Sequence, residues 1–256
     1  MTDYYVYEQP LNEKVRAFLR LEKLFQQYAF HLQHGSDWNN RVAIESILEL
    51  VAYTSRSDIK LEVLKELERQ HTRLERLAKR PQIDQSQLTS VLKNINLRIR
   101  ELQAQSGQFG QEAKTIELLM NFAQKSSVPG SICDFDLPAL KHWLTSTEEK
   151  RLNHIEKWFQ PFIHLDHSIQ LILEVLRHSS EYINETANNG FFQKPLDTAL
   201  TIQLLRISVP KETESYPEIS AGKHRFSIRF MTNEDPAKRP EQYKDDINFK
   251  LQMCAI

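Results

Sequence analysis

Near residue 199 the spacing of apolar side chains changes from a period of 3.6 to a period of 2, and this change constrains the fold more than any other feature. In His224–Met231 (HRFSIRFM), Phe226, Ile228 and Phe230 alternate with Arg225, Ser227 and Arg229. In Ile247–Met253 (INFKLQM), Ile247, Phe249, Leu251 and Met253 alternate with Asn248, Lys250 and Gln252. In Leu204–Val209 (LLRISV), Leu205, Ile207 and Val209 alternate with Leu204, Arg206 and Ser208. Strict alternation puts one set of side chains on a buried face and the other on a polar face. These stretches predict three antiparallel strands, with the opening strand around Tyr5 and Tyr7 completing the same sheet.

Before that change the chain reads as helices. Asn12 is an N-cap for a helix whose core side carries Val15, Phe18, Phe25 and Leu32. A second helix is expected from about Asp37 to Tyr53, with Ile44, Ile47, Leu48 and Val51 inward. A third runs from Asp58 to Arg80 and stops at Pro81, with a seam of Leu64, Leu67, His71, Leu74 and Ala78. Asp84 with Gln87 forms a capping pattern for a fourth, whose inward set is Leu88, Val91, Leu92, Ile95, Ile99 and Leu102. After the polar break at 104–111 comes a helix over 112–125, then a structured loop at 127–138 and a short helical piece around His142 and Trp143. Ser146 and Glu149 cap the next helix, which Pro161 ends. The last helix is expected to run to about Ala187 and to stop at Asn188-Asn189-Gly190. Residues 210–221 and 232–245, rich in Pro, Glu, Lys and Asp, are the disorder candidates. The class is α+β: a mostly α-helical domain at 11–190, and a small antiparallel β-sheet domain from 1–10 plus 195–256.

Composition narrows the function. Lys and Arg number 33 against 34 Asp and Glu, so no global basic field drives nonspecific nucleic-acid binding. Two cysteines, Cys133 and Cys254, are too few for a disulfide framework and suggest a reducing compartment. The start lacks a secretory pattern, and no apolar run reaches membrane-spanning length, so a cytoplasmic protein without membrane insertion is expected. Six glycines, with only Gly107 and Gly110 close together, leave no loop to cradle a phosphate, and no cofactor is expected.

Catalytic motifs are missing. His164 and His167 have permissible metal-ligand spacing, yet two ligands do not make a site. Cys133 beside Asp134 and Asp136 has carboxylates where a nucleophilic thiolate needs positive charge, so a half-buried structural cysteine is expected. Cations, by contrast, cluster locally. Arg16, Arg20 and Lys23 share one stripe of the first helix, and Arg69, Arg73, Arg76 and Arg80 share one of the third. Arg206, Arg225, Arg229 and Lys250 fall on the polar face of the expected sheet with no acidic residue among them. Such clustering favours an acidic partner. Nucleic acid on the Arg69–Arg80 stripe is the alternative, disfavoured because Glu66, Glu68 and Glu75 interleave with it and no aromatics are spaced for base stacking.

Several ordered stretches resemble one family, the ZapD group of bacterial division proteins. They are Glu8–Glu22 (EQPLNEKVRAFLRLE), Val63–Gln70 (VLKELERQ), Val128–Leu144 (VPGSICDFDLPALKHWL), Asn189–Gln193 (NGFFQ) and Tyr216–Met231 (YPEISAGKHRFSIRFM). The resemblance implies a helical domain with a small β-domain, a homodimer and no enzymatic activity. It also implies that the protein binds the C-terminal tail of the tubulin-like GTPase FtsZ and bundles its filaments at the division site. Arg20 matches a position in the family's tail-binding pocket, and Arg16, Arg56 and Arg69 align with basic positions of relatives. Lys114 stands near a family arginine, and Lys141, followed by His142, stands where relatives have a histidine. With Arg73, Arg206, Arg225 and Arg229, these residues make up the expected basic tail-binding pocket.

Overall fold

Apolar residues that step by three and four build helices, and those that alternate build strands. The computed structural model describes residues 3–55, 58–78, 84–126, 132–197, 201–233 and 235–256. In chain order these form β1 (Tyr4–Pro10), α1 (Glu13–His34), α2 (Asp37–Ser55), α3 (Ile59–Leu77), α4 (Gln85–Ala104), α5 (Glu117–Ser126), α6 (Pro138–Leu144), α7 (Glu148–Phe159) and α8 (Ile163–Arg177). The strands β2 (Ile183–Ala187), β3 (Phe191–Pro195), β4 (Ile202–Pro210), β5 (Tyr216–Ala221), β6 (Arg225–Thr232), β7 (Glu241–Gln242) and β8 (Ile247–Ala255) follow. The fold is α+β. It divides into two compact units, Phe18–Ile172 and Met1–Ala17 with Leu173–Ile256.

Along the helices, caps and apolar faces fall largely where the pattern puts them. Asn12 caps α1, its side-chain oxygen accepting from the Val15 amide at 2.8 Å. Further along α1, Phe18, Leu21, Phe25 and Tyr28 are buried. Tyr28 lies flat on Phe159 with ring centroids 3.8 Å apart, and Phe25 meets the same ring edge-on. Asp84 accepts from the amides of Ser86 and Gln87 at 2.9 and 3.1 Å. Leu88, Ile95 and Leu102, seven residues apart, are the buried line of α4. The cap of α7 is Thr147 rather than Ser146, its hydroxyl accepting from the Lys150 amide. Residues 112–115 form a 3-10 turn, so the helix expected from 112 begins at Glu117.

On α3 the seam differs from the expected one. The buried residues are Ile59, Val63, Glu66, Leu67 and Gln70, while Leu64, His71, Leu74 and Ala78 are half-buried. The reason is a buried polar pair that apolar periodicity cannot register. Arg69 Nε donates to Glu66 Oε2 at 3.0 Å, and Gln70 Nε2 reaches both Glu66 Oε1 and the Ile172 carbonyl.

The strand-rich unit corrects three expectations. The last helix does not run to Ala187. It stops at Arg177, and Ile183–Ala187 pairs antiparallel with β8. Asn189 (φ 48°) and Gly190 (φ 70°) are the two central residues of a tight turn, closed by the Phe191 amide donating to the Asn188 carbonyl at 3.0 Å. Asn-Gly is the pair that such a turn selects, because both positions need positive φ. The residues around 190 therefore belong to strands, not to a helix end.

Second, the strands form two sheets rather than one. The orders are β1-β4-β8-β2 and β3-β6-β5, with β7 also pairing with β6. Leu205, Ile207, Phe249 and Leu251 from the first sheet and Phe226, Ile228 and Phe230 from the second share a single core. Alternation fixes which side chains face inward but not which strands are neighbours. Third, part of the expected disorder is ordered: Tyr216–Ala221 is strand β5, and Ile219 packs against the core.

Candidate functional site

The expected face of four cations is split by the two sheets. Arg225 and Arg229 stand on the outer face of β6, both exposed. In register, Arg229 lies between Phe191 on β3 and Glu218 on β5, and Ser227 lies between Gln193 and Ser220. The result is an open sheet face with small polar residues at its centre and an arginine on either side.

Arg206 and Lys250 project from the outer face of the other sheet, and neither is an open cation. β1 places Glu8 opposite Arg206, so the face does carry an acidic residue. Arg206 Nε donates to Glu8 Oε1 at 2.8 Å, and its Nη1 donates to Gln252 Oε1 at 2.8 Å. Arg177 grips the same carboxylate through Nε and Nη2 at 2.9 and 2.8 Å. Gln252 in turn donates to the carbonyls of Arg177 and Ser180. Burial alone would raise the Glu8 carboxyl, but the bonds and charge of Arg177, then of Arg206, outweigh it and hold the group below the usual carboxylate range. Lys250 Nζ lies 4.3 Å from the centre of the Tyr4 ring. Arg206 is therefore engaged in an ion pair within the fold, on a face that the sequence expected to carry no acidic residue.

Among the helical-unit candidates, Arg20 and Lys23 are exposed on α1, Arg73 on α3, Lys114 on the 112–115 turn, and Lys141 and His142 on α6. Arg16, at the base of the same α1 stripe, is half-exposed and 3.5 Å from Glu13. Arg69 is committed to the buried Glu66, which removes it from an open basic stripe. Arg56 and Arg80 lie outside the described residues, as does the 127–131 part of the structured loop.

The other chemical candidates are held in structural contacts. His167 Nδ1 is 3.0 Å from Arg98, and His164 Nδ1 is 3.4 Å from the Glu101 carboxylate, which pairs with Arg98 at 2.8 Å. Among the described residues no group of three or more His, Cys, Asp and Glu is placed to hold a metal ion. Cys133 is exposed rather than half-buried, and Cys254 is buried, its thiol pushed up to about 11 by that burial. Among the described residues, no helix is long and apolar enough to cross a membrane. The sequence reading missed Trp38 and Arg41, and it noted Phe135 only as part of a loop. Exposure of a single aromatic leaves no trace in periodicity.

The chain is thus an α+β protein with a two-sheet unit and with exposed cations on α1, α3, α6 and β6. The ZapD family, described as a cell division protein, matches residues 19–229, and this chain belongs to it. A Cell division protein ZapD of Methylococcus capsulatus is 41% identical over 256 residues, covering all of both chains. One from Nitrosomonas europaea is 35% identical over 98% of this chain and 95% of its own. One from a Janthinobacterium species is 33% identical over 98% and 99%.

Proposed function

We propose that this chain is a non-catalytic, homodimeric cross-linker that binds the acidic C-terminal tail of FtsZ in the cytoplasm at the division site. Membership of a cell division family supports the process. The observation that carries the partner chemistry is the pair Arg225 and Arg229 on the open face of β6. Four residues apart on one strand face, they stand about 13 Å apart, a span that four residues of an extended peptide match. Each charge-assisted hydrogen bond to a tail carboxylate contributes roughly 1.5–3 kcal/mol before ordering costs. Arg16, Arg20, Arg73, Lys114, Lys141 and His142 supply further positive or polar surface. A dimer offers two such sites to filaments that display many tails, and avidity turns weak single-tail binding into bundling.

The test is fluorescence anisotropy of a labelled tail peptide against the wild type and the Arg225→Glu/Arg229→Glu variant. Both side chains are exposed, so the variant keeps its circular dichroism and oligomeric state while losing about tenfold or more in affinity. An unchanged affinity removes the β6 face from the site.

A further inference from the structure

β1 is an edge strand of the first sheet, and among the described residues it pairs with β4 alone. The bonds at its two ends show which of its backbone groups face outward. The Lys211 amide donates to the Asp3 carbonyl and the Leu11 amide to the Gln203 carbonyl, both at 2.9 Å. Across the unbroken register between them, residues that bond to β4 alternate with residues that do not. Tyr5, Tyr7 and Gln9 therefore bond to β4, and the amides and carbonyls of Tyr4, Val6 and Glu8 point away from the sheet. Gln9 Nε2 donates to the Pro10 carbonyl at 3.1 Å and closes the row there.

Edges of this kind are normally blunted. β5 carries Pro217, β3 ends at Pro195, and β2 holds Glu185 in an ion pair with Lys194. Before Pro10, β1 has no such device. Its one carboxylate, Glu8, is drawn across the sheet to Arg177 and Arg206. Tyr5 and Val6 stand 55% and 45% exposed on its two faces.

We propose that this edge pairs antiparallel with the β1 edge of a second copy, joining the two sheets into one. The strand is self-complementary in a register centred on Val6. There Val6 meets its own counterpart and Tyr4 meets Glu8 in both directions, so the outward amides and carbonyls of all three residues find partners. Tyr5 meets Tyr7 in the non-bonded pairs between, where side chains approach most closely, and the tyrosines of both copies cover one another. A shift of two residues one way sets Pro10, which has no amide hydrogen, opposite Tyr4, and the other way it leaves Glu8 beyond the end of β1. Charges also fit: Asp3, ion-paired with Lys211, falls opposite Gln9, and Glu8 falls opposite Tyr4, whose ring centre lies 4.3 Å from Lys250 Nζ. A strand of another protein could match the backbone bonds, but this symmetric match of side chains selects a second copy. Three bonded pairs and their tyrosines bury less than the roughly 1,200 Å² of a stable interface. The contact is therefore weak, and it rests on the homodimer proposed above, whose copies it links into larger assemblies.

Sedimentation velocity of the full chain over a concentration series, without FtsZ, tests it. The wild type is a dimer when dilute and forms larger species as concentration rises. Val6→Pro removes an outward amide and leaves the bonds to β4 intact, and Val6→Lys sets two cations opposite each other. Each variant weakens the larger association about tenfold or more, while the dimer and the circular dichroism stay as in the wild type. The register is read by comparing Val6→Cys with Tyr4→Cys, both in a Cys133→Ser background, under mild oxidation. Cysteines at position 6 face each other within disulfide reach and cross-link, whereas those at position 4 are about 13 Å apart along the strands and do not. A wild type that stays dimeric at every concentration, larger species that neither Val6 variant alters, or equal cross-linking at both positions overturns the contact and leaves the homodimer standing. A wild type that stays monomeric overturns both. Dissociation of Val6→Pro to monomers assigns the edge to the homodimer itself, and weaker binding of an FtsZ tail peptide at unchanged self-association assigns it to a peptide strand. Either result overturns the proposal.

Discussion

Arg206 and Arg229 looked alike in the sequence, both on polar strand faces, and the structure predicts opposite consequences for removing them. Arg206→Ala deletes one charge-assisted bond to Glu8 and one bond to Gln252, both part-buried. Both bonds come from the guanidinium and are charge-assisted, each contributing roughly 1.5–3 kcal/mol, so the loss is about 3 kcal/mol or more. Arg177 still holds Glu8, which keeps the cost below the upper end expected for a stranded buried charge. Urea unfolding, read on a signal from the strand-rich unit, measures the change, and tail-peptide anisotropy on the folded variant measures function. Arg206→Ala loses stability and keeps its affinity per folded molecule. Arg229→Ala stays within about 0.5 kcal/mol of wild-type stability and loses affinity. An Arg206→Ala protein of wild-type stability with weakened tail binding would refute the assignment of this arginine to the fold.

Other outcomes follow from single contacts. Glu8, whose carboxyl is held below its ordinary value, contributes stability that is fully present above the unfolded pKa near 4.5 and is lost as pH falls through the folded pKa. The stability gap between wild type and Glu8→Gln, measured by denaturation from pH 7 downward, is therefore constant to about pH 5 and closes below it. Gly110→Ala places a methyl group against Phe162 and Val51 at a positive φ of 65°, and lowers helical-unit stability by about 2 kcal/mol or more in thermal melts. Leu67→Ala opens a cavity at a fully buried α3 position and costs about 2–5 kcal/mol by the same measurement.

Local signals carried far in this sequence. The N-caps Asn12 and Asp84 and the inward faces of β4, β6 and β8 were legible because each depends on residues close in the chain. The turn at Asn189-Gly190 carried an equally local signal, but Asn-Gly also fits a helix stop, and only the pairing of Ile183–Ala187 with β8 separates the two readings. Sheet membership was not legible, since alternation in HRFSIRFM is the same whichever sheet it joins. The ion pairs that divide structural from open arginines were hidden for the same reason. Glu8 meets Arg177 and Arg206 across 169 and 198 residues, beyond the reach of any local pattern. Glu66, buried among apolar neighbours, hid the fact that Arg69 was already engaged.

Cross-linking through a tail is tested by titrating this protein into GTP-polymerised FtsZ while following sedimentation and light scattering. Full-length FtsZ and a version lacking its C-terminal tail are compared at equal filament mass. The full-length filaments bundle and the tailless ones do not. Equal bundling of both, or bundling of neither, would contradict cross-linking through the tail.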